Sequence, residues 1–279
     1  MKILRALFPS GHRVARSAAR RLLPVALIVL ALVGVASVPA RAQGKGAKGP
    51  AAIFLTYTIK AEHRARAREA LLTSGVAQFE AWKATGVFKD YLLLFPSYVH
   101  MNATRWDLLV VLDFEKYADT DRCKKIERTA PGGLSAALLE LVTPTGTNLA
   151  QVLGQSGLHT GVPERHVYAV SPYKFKAGAA AGVPYVASYV QPQLEPFVRE
   201  GVLAGYGLYL NSHDLADWNY LLISEYADTA AFGARNKGAA RGPLTESAAW
   251  NALHAIKGEI REEMAMFFAE RLAPTPSAK

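Results

Sequence analysis

Trp106-Asp107-Leu108-Leu109-Val110-Val111-Leu112 decides the fold, because it recurs in altered form as Trp218-Asn219-Tyr220-Leu221-Leu222-Ile223. Each run follows a Trp and a polar residue with almost uninterrupted apolar side chains. A strand with one wet face alternates apolar and polar residues, so these runs read as strands covered on both faces. Working outward, a shorter strand precedes each run, Tyr91 to Phe95 and Tyr206 to Leu210. The junctions that lead into them are related: Gly86-Val87-Phe88-Lys89-Asp90-Tyr91 and Gly201-Val202-Leu203-Ala204-Gly205-Tyr206. Tyr-Ala-Asp-Thr follows both runs, at 117–120 and 226–229.

Further upstream, each half opens with a strand ending in a related pattern, Tyr57-Thr58-Ile59-Lys60 and Tyr173-Lys174-Phe175-Lys176. A helix is expected next. In the first half it spans Glu62 to Thr85, with Ala67, Leu71, Val76, Phe79 and Trp82 as its apolar stripe and Gly86 as its stop. In the second it spans Pro184 to Glu200, and Gly178, Gly182 and Pro184 make 177–183 read as a loop. Each half also carries a later helix, opened by Gly133-Leu134-Ser135 or Pro243-Leu244-Thr245, where Ser135 and Thr245 are suitable N-caps. The last helix is expected to run from Trp250 to Arg271, since Trp250, Leu253, Ile256, Ile260, Met264, Phe267 and Arg271 recur at three or four residues.

These boundaries divide the chain into a first α+β repeat at 53–154, a linker at 155–165 and a second repeat at 166–272, with a flexible leader at 43–52 and a tail at 273–279. The duplicated order of elements resembles the ferredoxin-like unit of the dimeric α+β barrel superfamily, which includes antibiotic-monooxygenase-like, EthD-like and NIPSNAP-like proteins. The resemblance implies an α+β fold: two repeated β-α-β-β-α units whose antiparallel sheets pack face to face as an intrachain pseudo-dimer. The duplication, the doubly covered strands and the 12 Tyr and 11 Phe, together with this resemblance, leave two kinds of function for a cavity between the sheets. One is binding of a small, largely apolar ligand; the other is an oxygenase-like or haem-dependent enzyme. A structural module with a filled core is the third reading, and the cofactor is left unassigned.

Residues 1–42 read as an export signal. They hold a basic front (Lys2, Arg5, Arg13, Arg16, Arg20, Arg21), an apolar centre from Leu22 to Val38, and Ala40-Arg41-Ala42 as a cleavage site, so a periplasmic or secreted protein starting near Gln43 is expected. The Arg20-Arg21 pair lacks most of the flanking pattern of a twin-arginine signal. This segment carries seven of the 32 Lys and Arg and none of the 23 Asp and Glu. What remains is nearly balanced, which argues against a nucleic-acid partner, as phosphate binding needs a concentrated basic surface. No membrane partner is expected after cleavage, and no oligomer is required.

Cysteine usage excludes other chemistries. With Cys123 alone there is no intramolecular disulfide, no thiolate zinc site and no Cys-ligated cluster, and its setting in Asp121-Arg122-Cys123-Lys124-Lys125 suits an inert, half-buried thiol. The chain has no Gly-x-Ser-x-Gly elbow, P-loop, His-Glu-x-x-His or EF-hand loop. Candidate ligand-binding residues are therefore positional. His100 and His213 precede Trp106 and Trp218 in matching loops, as an imidazole at a shared site would require. Asp107 and Asp113, with Asn219 and Glu225 at equivalent places, either line an internal cavity or sit at wet strand ends. No metal site is assigned.

Overall fold

The computed structural model describes residues 49–98, 106–158, 166–211, 218–235 and 246–274. The export signal, Thr245 and both candidate histidines, His100 and His213, lie outside these residues. No helix among the described residues is long and apolar enough to cross a membrane.

The first half begins with β1 (Ala51–Ile59), followed by α1 (Arg64–Ala70) and α2 (Val76–Ala84), which are joined by a π-helical turn at Leu71–Gly75. After β2 (Asp90–Pro96) and β3 (Leu108–Phe114) come α3 (Asp121–Glu127), α4 (Ala136–Leu139) and a long β4 (Val142–Ser156). The second half follows the same course through β5 (Val167–Phe175), α5 (Ala179–Tyr185), a π turn at Val186–Val190, α6 (Gln191–Arg199), β6 (Gly205–Asn211) and β7 (Tyr220–Tyr226). It ends with α7 (Thr229–Ala234), α8 (Ala248–Ala255), α9 (Lys257–Ile260), β8 (Arg261–Glu263) and β9 (Phe267–Leu272).

Antiparallel pairing runs β4-β1-β3-β2 in the first half and β9-β5-β7-β6 in the second. The halves join edge to edge at both seams. Leu93 to Pro96 of β2 pair with Ala269 to Leu272 of β9, and Ala150 to Ser156 of β4 pair with Tyr206 to Asn211 of β6. The sheet thus closes on itself, leaving these four strands with no open edge. Because neighbours alternate in direction around the ring, corresponding strands point the same way, and corresponding residues lie at the same end.

Hydrogen bonding repeats this correspondence. Asp107 N–H donates to Tyr57 O (2.7 Å) while its Oδ2 accepts from Ile59 N (2.8 Å). Asn219 does the same with Tyr173 O (3.0 Å) and Phe175 N (3.0 Å). Both halves also shift register by one residue at the same place. The first shift falls between Thr56 and Tyr57 against β4, the second between the β8 pairing of Tyr173 and the β9 pairing of Val170.

Two expectations are corrected here. The helix expected from Trp250 to Arg271 stops at Ala255, with one further turn to Ile260, and its distal part is the fourth strand of the second half. Phe267 and Ala269 point inward at a spacing of two, and the unpaired edges of β5 and β2 supply their partners. The loop expected at 177–183 is helical from Ala179, because the glycine that suggested a loop permits close packing. A Cβ on Gly182 would lie 1.9 Å from the Phe175 ring, so only glycine lets α5 approach β5 at this point. Ser135 does cap α4, accepting from Leu138 N at 3.4 Å.

Alternation along the strands divides the core into an inside and an outside. Inside the ring, Ala52, Phe54, Leu92, Leu94, Leu109 and Val111 meet Tyr168, Val170, Tyr209, Leu221 and Ile223 from the second half. Phe54 contacts the Tyr209 ring at 4.9 Å and Trp218 at 5.5 Å, and Trp106 lies 5.3 Å from Phe267. Interleaved aromatic and branched side chains fill this space, as they do in small barrels. Outside, Ile53, Leu55, Tyr57, Leu93, Val110 and Leu112 pack under α1, α2 and α4.

Candidate functional site

Packed side chains fill the described interior of the barrel. A pocket of about 400 Å³ lies on the outer face of β4-β1-β3, beneath α3. Ile53, Leu55, Leu112 and Leu149 form its strand wall, and Trp82 and Phe88 close the side toward α2. Thr120, Cys123, Ile126 and Glu127 face it from α3 and the turn before that helix. Lys124 of α3, Arg128 just after it and Thr147 of β4 add to a lining that is mostly apolar with a few polar groups, the usual composition of a small-molecule site.

Backbone geometry gives this pocket its firm corner. Gly132 and Gly133 both take positive φ, 64° and 69°, in the tight turn between α3 and α4. The Tyr57 hydroxyl donates to Gly132 O, and Gly132 N donates to the Glu127 carboxylate at 3.0 Å. A Cβ on Gly132 would fall 2.5 Å from the Tyr57 hydroxyl, so the turn and the tyrosine occupy each other's only available space. Burial above all, and then the Glu127 charge, hold the Tyr57 hydroxyl well above its ordinary range, so it remains a donor. The same two causes, burial first, push the Cys123 thiol up to about 12. Cys123 is therefore a protonated wall residue rather than a nucleophile.

A smaller pocket of about 190 Å³ occupies the corresponding outer face of the second half, beneath α6. Tyr173, Leu194, Phe197 and Leu222 line it together with Arg235 and Arg261.

Of the four residues singled out by position, only Asp107 and Glu225 belong to the described structure, and they lie apart. His100 and His213 fall outside the described residues. Asp107 bonds to the end of β1 and to Arg64 Nη1 (3.3 Å), fixing the entry to the first helix. Glu225 lies near the far end of β7 and so at the opposite end of the barrel. It is completely buried, not at a wet strand end, accepting from the Tyr168 hydroxyl (2.7 Å) and facing His166 Nδ1 (2.6 Å). Asp113, its counterpart on β3, is also buried and accepts from Gln155 Nε2 at 3.0 Å. Asp107 and Glu225 line neither pocket. The residues that do, notably Trp82, Cys123 and Glu127, show in sequence only as helix positions.

The haem-dependent reading requires an iron ligand, for which the sequence offers His100 or His213. Among the described residues neither pocket is lined by a histidine, and burial above all raises both the Cys123 thiol and the Tyr173 hydroxyl. Among the described residues, no group of three or more His, Cys, Asp or Glu is arranged to hold a metal ion. The described lining of the two pockets supplies no histidine to hold a haem iron, and His100 and His213 lie outside the described residues.

No protein-family profile and no curated protein matches the chain by sequence. Solved structures match it by shape. A candidate monooxygenase from Lactobacillus acidophilus is 10% identical, aligns over 81% of this chain and 95% of its own, and gives a TM-score of 0.50. A candidate monooxygenase from Fusobacterium nucleatum is 13% identical over 80% and 93% of the two chains, with a TM-score of 0.51. A haem-binding protein from Thermus thermophilus aligns more loosely, at 0.45 and 13% identity, over 81% of this chain and 92% of its own. The likeness is one of fold: the chain shares the α+β architecture of these structures, with both four-strand sheets supplied by one polypeptide.

Proposed function

We propose that the protein is an oxygenase-like enzyme that takes a small, largely apolar organic molecule into the pocket between α3 and the outer face of β4-β1-β3. The pocket itself carries this reading: about 400 Å³ walled largely by Ile53, Leu55, Leu112, Leu149, Trp82 and Phe88. Apolar atoms leaving water for that wall supply the affinity, at about 25 cal/mol per Å² buried. The fold held in common with two candidate monooxygenases supports the reaction class. With the signal at 1–42, the same proposal puts the enzyme in the periplasm or outside the cell.

Plain binding of the same molecule is the second reading. It is favoured by the pocket's single lining carboxylate, Glu127, which already accepts from Gly132 N. One experiment separates the two. A panel of hydroxylated aromatic compounds is titrated against tryptophan fluorescence, to which Trp82 in the pocket wall contributes, and oxygen uptake is recorded on the same samples. The oxygenase reading expects saturable quenching with oxygen uptake, both abolished by Leu149→Trp, which fills the pocket from β4. Quenching without uptake leaves the binding reading alone. Quenching that survives Leu149→Trp puts the ligand elsewhere and overturns both.

A further inference from the structure

The second pocket carries a separate assignment. Its volume, about 190 Å³, corresponds to roughly six water molecules at ~30 Å³ each, which suits a short ligand rather than a lipid. Two guanidinium groups line it, Arg235 and Arg261, and its lining includes no acidic residue.

Arg261 is unusually committed to this place. Only 10% of its side chain is exposed, its guanidinium carbon lies 4.2 Å from the Tyr173 ring centre, and one Nη reaches Glu263 at 2.9 Å. Its Nε is buried and has no partner. The hydroxyls of Tyr185 and Tyr220, whose rings belong to the same aromatic cluster, are likewise buried without a partner. Arg261 nevertheless lines the pocket, so its guanidinium sets a positive charge in the cavity wall. Arg235 approaches from the end of α7, its guanidinium held 3.6 Å above the Phe232 ring and bonded to Phe232 O at 2.8 Å. Stacking and that one bond fix the fork while leaving further N–H groups to donate.

We propose that this pocket is a binding site for a small organic carboxylate. The carboxylate accepts from the Arg261 and Arg235 guanidinium groups that line the pocket, and its apolar body lies against Leu194, Phe197 and Leu222. A planar carboxylate suits guanidinium donors better than a neutral hydroxyl does, since charge-assisted bonds are the stronger. The site is distinct from the first pocket and does not depend on what that pocket does.

Calorimetric titration with benzoate tests it on the whole protein, with benzyl alcohol as the neutral comparison. Four proteins are needed: wild type, Arg261→Gln, Arg235→Gln, and Glu127→Gln in the first pocket, with circular dichroism confirming each fold. The expected result is saturable benzoate binding by the wild type and by Glu127→Gln, no comparable binding of benzyl alcohol, and a loss of about tenfold or more in each arginine variant. Should Arg261→Gln unfold, Arg235→Gln still decides, because Arg235 is only partly buried. Failure of the wild type to bind benzoate, equal affinity for benzyl alcohol, or unchanged affinity in Arg235→Gln overturns the assignment. Loss of binding in Glu127→Gln alone moves the ligand to the first pocket and overturns it as well.

Discussion

Glu225→Ala lowers the unfolding free energy by about 3–5 kcal/mol, a large share of the 5–15 kcal/mol typical of a folded domain. The size follows from where the carboxylate sits. It has no solvent exposure, and its removal leaves the Tyr168 hydroxyl and the His166 imidazole facing a cavity. Tyr168 is fully buried as well, and burial, with Glu225 next, holds its hydroxyl well above the ordinary range. It therefore stays protonated and must donate to something. Glu225→Gln keeps the shape and an acceptor oxygen but loses the charge, and a smaller loss of about 1–3 kcal/mol is expected. Urea unfolding of the three proteins checks the order; an alanine variant as stable as the wild type would show that this end of the barrel is not packed as described.

Gly205→Ala is expected to be as damaging, although it adds one methyl group. A Cβ there would lie 2.4 Å from both Gly157 C and Leu158 N, which are backbone atoms that no rotamer change can move. The converse holds across the seam. Gly157 has φ 65°, and its Cβ would lie 2.4 Å from Ala204 O. Two glycines thus face each other where β4 meets β6, and widening that contact breaks the pairing between halves. A loss of about 3 kcal/mol or more is expected, at the upper end of overpacking costs. Gly258→Ala is the comparison: nothing lies within 4 Å of its Cβ, it sits in α9, and the change should be neutral or slightly stabilising. Thermal unfolding reads both, and equal melting of the two variants would contradict the seam.

The residues that repeat most plainly in sequence are those that make the same bonds in both halves. Tyr57 and Tyr173 close the first strands, and Asp107 and Asn219 receive them, so the pattern Tyr-x-Ile/Phe-Lys and the polar residue after Trp had a structural cause visible without coordinates. The fourth strands were not legible, for two reasons. Thr143-Pro144-Thr145-Gly146 in β4 reads as a break, yet it pairs with Thr56 to Thr58 across a register shift. Met264, Phe267 and Arg271 satisfy helical spacing as well as Phe267 and Ala269 satisfy strand spacing. The choice was made by the open edges of β2 and β5, which are distant in sequence.

The candidate sites were less legible still. Asp107 and Glu225 were noticed as polar residues flanking apolar strands, but flanking polarity does not distinguish a helix-entry bond from a buried carboxylate at the other end. Trp82, Cys123, Glu127 and Leu149 become neighbours only when α2, α3 and β4 are laid over the same sheet face. Arg261 was hidden by the helical reading of 250–271, which made it one more charge on a solvated face.

The central claim is that one polypeptide closes the whole barrel, and a disulfide across the β4–β6 seam tests it most directly. Gln151 and Leu210 stand opposite each other in register, and opposed antiparallel residues have Cα separations of about 4.5–5.5 Å, within disulfide range. In a Cys123→Ser background, which removes the one native thiol, Gln151→Cys with Leu210→Cys should oxidise to a covalent monomer on a non-reducing gel. A covalent dimer would mean that the seam joins two chains, and free thiols in the folded protein would mean that these strands do not meet.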